Sequence, residues 1–595
     1  LNVGGHSKGR IIAVNGPLAT CEVEQGQEVL QNEVAYVNCQ GAPLKAEVIR
    51  VRGRQIDMQV FESTTGMVVG DEVTFSGELL SVTLGPGMLG MIYDGLQNPL
   101  QQLENVQGFF LKRGQYLKPL DEEKEWQFRP SVVPGILVRA GQYLGVVNEG
   151  LFPHHIMVPL MLQGTWEVGE IKPAGRYRVT DTIAVLRSTA EQGREVAVTL
   201  KQEWPVKMPV RTYAERLLPN RQLLTQCRLI DIFFPLAEGG TSCIPGPFGA
   251  GKTVLQQIIS RYAEADVVII VACGERAGEV VETIREFPEL EDPKTGESLM
   301  NRTVIICNTS SMPVAAREAS IYTGISIGEY YRQLGLKVLL LADSTSRWAQ
   351  ALRESSARLE EIPGEEAFPA YLESRIAAVY ERAGLVRLHD GSTGSLTLIG
   401  TVSPAGGNFE EPVTQNTLKV VGAFYGLSRS RSDQRRYPAI DPQISWSLYL
   451  RQMRASLEER REGWVELVEE VHRLIFAGNE VHQMMLVVGE EGISVKDLTT
   501  YLKSEIVDAV CLQQDSFDPV DRATSRERQV SDFLLLMDVV RHPFDFATKE
   551  EARRGMMALH NAFFQMKYCP YQGEKYRMYR GEIEGVLAGK GAACQ

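Results

Sequence analysis

Residues 246–253 read Gly-Pro-Phe-Gly-Ala-Gly-Lys-Thr, with the spacing G-x-x-x-x-G-K-T. Glycines so spaced let consecutive backbone N–H groups turn inward around an anionic phosphate. Gly246, Pro247, Phe248, Gly249, Ala250 and Gly251 would form the cradle. Lys252 would neutralise the outer phosphate oxygens, and the Thr253 hydroxyl would ligate Mg2+. From Thr253 and Val254 through Ile259 the pattern is helical, so the positive end of a helix dipole faces the same phosphates. The alternative is a Gly-rich turn that binds nothing. The apolar Cys243-Ile244-Pro245 before the loop and the helix after it favour phosphate binding.

Two carboxylates and a guanidinium complete the candidate chemistry. Asp343 follows the apolar run 338–342, and an Asp at the carboxyl end of a buried strand is the expected Mg2+ partner in phosphate-loop enzymes. Taken alone it would more often be a helix N-cap or turn Asp; the phosphate-loop context favours the metal role. Glu275 follows the run 267–273 in Cys-Gly-Glu-Arg and could polarise a water attacking a terminal phosphate. Most glutamates are surface groups, and that reading stays open for Glu275. Arg276 next to it fits a phosphate contact or a structural ion pair.

The elements that must hold these groups can be read from patterning. Residues 201–447 alternate helical stretches with apolar runs at 267–273, 303–307, 338–342 and 396–402. Runs of this kind suit a buried, largely parallel sheet covered by helices. From 448 to 595 the spacing becomes helical and highly charged, predicting an α-helical domain. Residues 1–80 alternate β-branched and polar positions between Gly-bearing turns and predict a small antiparallel barrel. Residues 81–115 read as a Gly/Pro-broken connector leading into a short helix, and residues 116–200 as a second β-rich module.

Composition narrows the classes. The chain has 595 residues and a net charge of −13, which argues against a dedicated nucleic-acid binder. The nine cysteines form no CxxC pair and read as small buried hydrophobes, not a disulfide or zinc framework. His154 and His155 are adjacent but lack further ligand-type neighbours, so a loop or core pair is expected. No apolar run is long enough to span a membrane, which predicts a cytoplasmic protein. Residues 1–7 carry neither an initiator Met nor an apolar signal core and are set aside from the fold reading.

GPFGAGKT, GER, FPEL-DP-TGESLM, SMPVAAREASIYTGI and LADSTSRWA-ALRE together resemble the catalytic A subunits of vacuolar/archaeal-type rotary ATPases, including the bacterial ones. The resemblance runs from about residue 9 to about 450 and is strongest from Trp204 to Tyr449. It implies a multidomain α/β fold: an N-terminal β-barrel, a β-rich insertion at 116–200, a RecA-like phosphate-loop core and a C-terminal helical domain. It implies ATP or ADP with Mg2+ at Lys252, Thr253 and Asp343, with Glu275 positioning the attacking water and Arg276 near the phosphates. An adenine clamp is implied in GAFYGL, where Phe424 matches, with core packing as the alternative; Phe234 in DIFFP is a weaker candidate that reads more readily as core.

The implied partners are a B subunit alternating in a hexameric ring and supplying an arginine finger, central and peripheral stalks, and a membrane ring moving H+ or Na+. The chain itself would sit at the cytoplasmic face of the membrane. The turn Val488-Gly489-Glu490-Glu491-Gly492-Ile493 is the expected stalk-facing element. Three positions depart from the family pattern: Gly278 replaces an Asn, Asn408 replaces an Asp, and Ala250 stands where eukaryotic members carry Cys. Two other classes compete: a non-catalytic ring subunit, which would lack the carboxylate at 275, and a RecA-like nucleic-acid motor, opposed by the net charge of −13.

Overall fold

The computed structural model of the chain describes residues 7–107, 113–190 and 193–588. Residues 1–6, which opened the segment set aside above, and Cys594 lie outside the described residues. The chain forms two compact units. One comprises residues 1–218, 265–402 and 410–420; the other comprises 219–264, 403–409 and 421–595. The stretch 201–447 therefore contributes to both.

The first unit begins with a closed six-stranded barrel. Alternation drives it: in Leu18–Val23 every second side chain is buried, and Ala19, Cys21 and Val23 point into a core with Val37, Leu44, Val48, Met58 and Phe75. The insertion is two four-stranded antiparallel sheets, one of them built on Thr165–Ile171 and the other on Tyr143–Glu149. Val138, Leu144, Val158, Trp166, Val168 and Leu186 share its core. His154 is buried there, bonded to Glu149 Oε2 at 2.6 Å and to the Tyr330 hydroxyl at 2.7 Å, while His155 stacks on Tyr143. The pair is thus held by packing and hydrogen bonds, as the sequence suggests.

Four of the apolar runs become parallel strands of this unit. Thr393–Val402 pairs with Lys337–Asp343, which pairs with Val267–Glu275, which pairs with Thr303–Thr309. The connector holds one strand the patterning did not reveal: Ile92–Tyr93 adds in parallel to the free edge of Thr303–Thr309. The helix Val314–Gln333 is buried along nearly its whole length. It lies close to the sheet because Gly324 has no side chain; a Cβ there would meet Val271 Cγ2 at 2.4 Å.

In the second unit Thr241–Pro245 pairs in parallel with Ala423–Phe424, and the helix Lys252–Tyr262 follows the first of these strands. The rest is the expected helical domain, with helices Trp464–Val488, Val495–Val507, Arg526–Arg541, Lys549–Lys567 and Glu574–Leu587. Ser494, Ser525 and Thr548 cap three of these helices by accepting hydrogen bonds from backbone N–H groups of the first turn. Buried Arg228 and Lys567 converge on Asp521 at 2.6 and 3.3 Å. Such a group stabilises little net but is costly to break. Among the described residues no helix is long and apolar enough to cross a membrane.

Candidate functional site

In the second unit the phosphate loop joins the end of Thr241–Pro245 to the helix Lys252–Tyr262. Gly249 and Gly251 take φ values of +80° and +89°, the left-handed region that lets successive N–H groups face one side. Gly246 is needed for space: a Cβ there would meet Leu427 Cβ at 2.6 Å. The Lys252 ammonium reaches back across the loop, donating to the Gly246 carbonyl at 2.7 Å and the Pro247 carbonyl at 3.0 Å. Thr253 and Val254 are exposed on the first turn of the helix, where backbone N–H groups lack intrahelical acceptors. Ala250 is buried and Phe248 is 79 % exposed at the loop tip.

A cavity of about 730 Å³ opens beside this loop. Gly249, Gly251 and Val254 line one side; Leu427, Tyr437 and Pro438 line a second; Gln514 and Phe517 line a third. Tyr437 and Phe517 offer exposed ring surface there. Phe424, implied as the adenine clamp, is not among the lining residues. It is 4 % exposed, stacked on Trp446 and edge-on to Phe409, so its ring faces are already covered. Phe234 is likewise core, stacked on His472. Four rings line the cavity, those of Tyr437, Phe517, Phe564 and Tyr568. Phe564 is stacked on His560 and edge-on to Tyr568, whereas Tyr437 lies nearest the loop and Phe517 is the most exposed of the four. The sequence pattern singles out neither Tyr437 nor Phe517.

The first unit carries the acids. Asp343 ends its strand and accepts a hydrogen bond from Thr401 Oγ1 at 2.6 Å. Glu275 ends the neighbouring strand, in which Ala272 is the partner of Asp343. The bend that leads into Glu275 depends on Gly274, with φ of +73°; a Cβ there would meet Arg317 Cδ at 2.9 Å. Burial, and next the Asp343 charge, push the Glu275 pKa up to about 7, against the pull of Arg347. Arg347 Nε lies 3.3 Å from Glu275 Oε1. Arg347 is absent from the residues expected on sequence grounds, although it lies four residues beyond Asp343 at the start of the helix Thr345–Arg358. Arg276 is exposed just before the helix Ala277–Glu286. In that helix a Cβ at Gly278 would meet nothing within 4 Å, so the departure from Asn there is not sterically required.

Among the described residues no group of three or more His, Cys, Asp and Glu could hold a metal unaided. A hydroxyl and a carboxylate, Thr253 and Asp343, are hard oxygen donors that suit Mg2+ only when phosphate oxygens and waters complete the shell. The described cysteines are all buried.

Four family descriptions match the chain in order. The ATP synthase alpha/beta family β-barrel domain matches residues 11–77, and the ATP synthase alpha/beta subunit barrel-sandwich domain matches 117–207. The ATP synthase alpha/beta nucleotide-binding domain matches 226–447, and the C-terminal domain of V and A type ATP synthase matches 456–542. The chain is 55% identical over 584 residues to the V-type ATP synthase alpha chain of Borrelia turicatae, covering 98% of this chain and 99% of that one. It is 56% identical over 584 residues to the V-type ATP synthase alpha chain of Treponema denticola, covering 98% and 97%. The solved structure of the assembled ATPase EscN from the enteropathogenic E. coli type III secretion system is similar in fold, with TM-score 0.63 and 19% identity, covering 89% of this chain and 100% of that one.

Proposed function

The chain belongs to the family of V-type ATP synthase alpha chains, and from that premise we propose how its site residues share the work on one Mg-ATP. It is the catalytic subunit of a rotary ATPase, hydrolysing or making ATP as part of a multi-subunit, ion-transporting enzyme. The observation that carries the site assignment is the G-x-x-x-x-G-K-T loop folded between a strand and a helix beside a cavity whose lining includes Tyr437 and Phe517.

In our reading the base lies between Tyr437 and Phe517. The loop amides and Lys252 hold the triphosphate, while Thr253 and Asp343 hold Mg2+, directly or through water. The ion supplies charge neutralisation when bound. Glu275 orients the attacking water and takes its proton, Arg347 holds the Glu275 carboxylate in place, and Arg276 lies near the phosphate oxygens. The ring partner is a B subunit supplying an arginine finger. The turn Glu490–Gly492 faces a central stalk, beside exposed Leu486, Val487 and Val488. A peripheral stalk and a membrane ring carrying H+ or Na+ complete the enzyme, which would hold the chain at the cytoplasmic membrane face.

The partner arrangement is tested by mixing. The purified chain alone should hydrolyse ATP at least about 10³-fold more slowly than the ring reconstituted with the second subunit, the range expected for a missing arginine finger. Full activity of the monomer would contradict it.

The Glu275 pKa sets a pH dependence. The group must be ionised to accept a proton, and burial raises its pKa to about 7. The kcat/KM for ATP should therefore rise with pH through an acid limb near 7, since kcat/KM reports the free enzyme. Arg347→Ala removes the one cation pulling that pKa down, so the limb should move to higher pH. A profile flat between pH 6 and pH 8 would remove Glu275 as the proton acceptor.

A further inference from the structure

Two stretches far apart in sequence line the cavity beside the phosphate loop. One carries Tyr437 and Pro438, the other Gln514 and Phe517. They meet directly where Gln514 N–H donates to the Tyr437 carbonyl at 2.8 Å. Just behind that contact lies Asp508, where the helix Val495–Val507 ends and a wider turn, Asp508–Leu512, begins.

Asp508 is 5 % exposed and is gripped by two arginines from the stretch that carries Tyr437. Arg431 Nη2 donates to its Oδ1 at 2.7 Å, and Arg436 Nη1 to its Oδ2 at 2.5 Å. Gln513 Nε2 adds a third bond at 3.0 Å, and the other end of the Arg436 guanidinium reaches Glu505 Oε2 at 3.0 Å. Burial works against the Arg436 charge, yet Asp508 and then Glu505 raise its pKa above the ordinary arginine value, so the pair is ionic. Buried ion pairs are poor net stabilisers, and their best-attested use is to fix register. Here the register fixed is between the residue next to Tyr437 and the segment that leads to Phe517. A planar base held between two rings is sensitive to their separation.

We propose that Asp508, clamped by Arg431 and Arg436, is a positioning residue for the nucleotide: it sets the spacing of Tyr437 and Phe517 and so the hold on the base. The proposal rests on the reading of this cavity as the base site. It separates two parts of the ligand, because the clamp acts on the rings while Lys252 and the loop amides act on the phosphates.

The test uses the reconstituted enzyme and compares ATP with inorganic tripolyphosphate, which has no base. Asp508→Asn should raise the KM for ATP by about tenfold or more, leave kcat within about twofold, and leave inhibition by tripolyphosphate unchanged. Arg436→Gln, at a site 29% exposed and easier to accommodate, should reproduce the effect and add nothing in the Asp508→Asn background. Arg436→Lys, which keeps the charge but not the fork, should lie between. A wild-type KM in both single variants would overturn the proposal. So would equal weakening of ATP and tripolyphosphate, which would mean that the whole site had loosened. Failure of the underlying reading looks different: Tyr437→Ala and Phe517→Ala would then leave the KM for ATP unchanged as well.

Discussion

Replacing Lys252 by alanine is expected to lower ATP turnover by about 10³-fold or more. The ammonium is the one side-chain cation on the phosphate loop, and fixed positive charge around a transferring phosphoryl group is the main source of rate enhancement in such sites. A loss of that size corresponds to about 4 kcal/mol of transition-state stabilisation. In the structure the ammonium donates to two carbonyls of its own loop. Losing such bonds costs about 1 kcal/mol each, so the fold should survive and the melting temperature should fall by only a few degrees. Steady-state hydrolysis by the reconstituted ring, with circular dichroism as the control for folding, reads both. Wild-type turnover in a folded variant would remove the loop from catalysis.

Glu275→Gln is expected to separate binding from chemistry. The amide matches the carboxylate in shape and still accepts from Arg347, but it cannot take a proton. Single-turnover hydrolysis should slow by about 10²–10⁴-fold. Mg-ATP affinity should hold or increase, because one negative charge beside Asp343 and the triphosphate is gone. Stability should change in a pH-dependent way. Glu275 has a folded-state pKa raised to about 7. Its ionisation therefore costs the folded state progressively as pH rises from the ordinary carboxylate range through 7. The Gln variant should melt higher than wild type at pH 8 and no higher near pH 4. An unchanged single-turnover rate would take Glu275 out of the mechanism.

The parts of the site that were legible in the sequence are those whose chemistry is local. The loop announces itself because its glycines, Lys252 and Thr253 are contiguous. Asp343 and Glu275 could be read because each ends an apolar run that had to be a buried strand. The four runs of the α/β segment became four neighbouring parallel strands for the same reason. What escaped depends on segments meeting in space. Tyr437 and Phe517 are 80 positions apart, and nothing near either one signals that Gln514 will bond to the Tyr437 carbonyl. Phe424 is implied only by its match to the family's GAFYGL, and a local motif carries no sign that Trp446 and Phe409 cover its ring. Arg347 faces Glu275 only because two strands lie side by side in a particular register. Ile92–Tyr93 is too short to carry a pattern and is recruited by the open edge of Thr303–Thr309.

The central claim is that one Mg-ATP is held by the loop, the two rings and the two acids together. The structure of the reconstituted ring with Mg2+ and a non-hydrolysable ATP analogue tests it most directly. The base should lie between Tyr437 and Phe517, Lys252 Nζ should sit about 3 Å from terminal phosphate oxygens, and Glu275 should be one water away from the γ-phosphate. An analogue bound at the loop with both Glu275 and Asp343 too far for a single water to bridge, or with its base away from the two rings, would contradict the account.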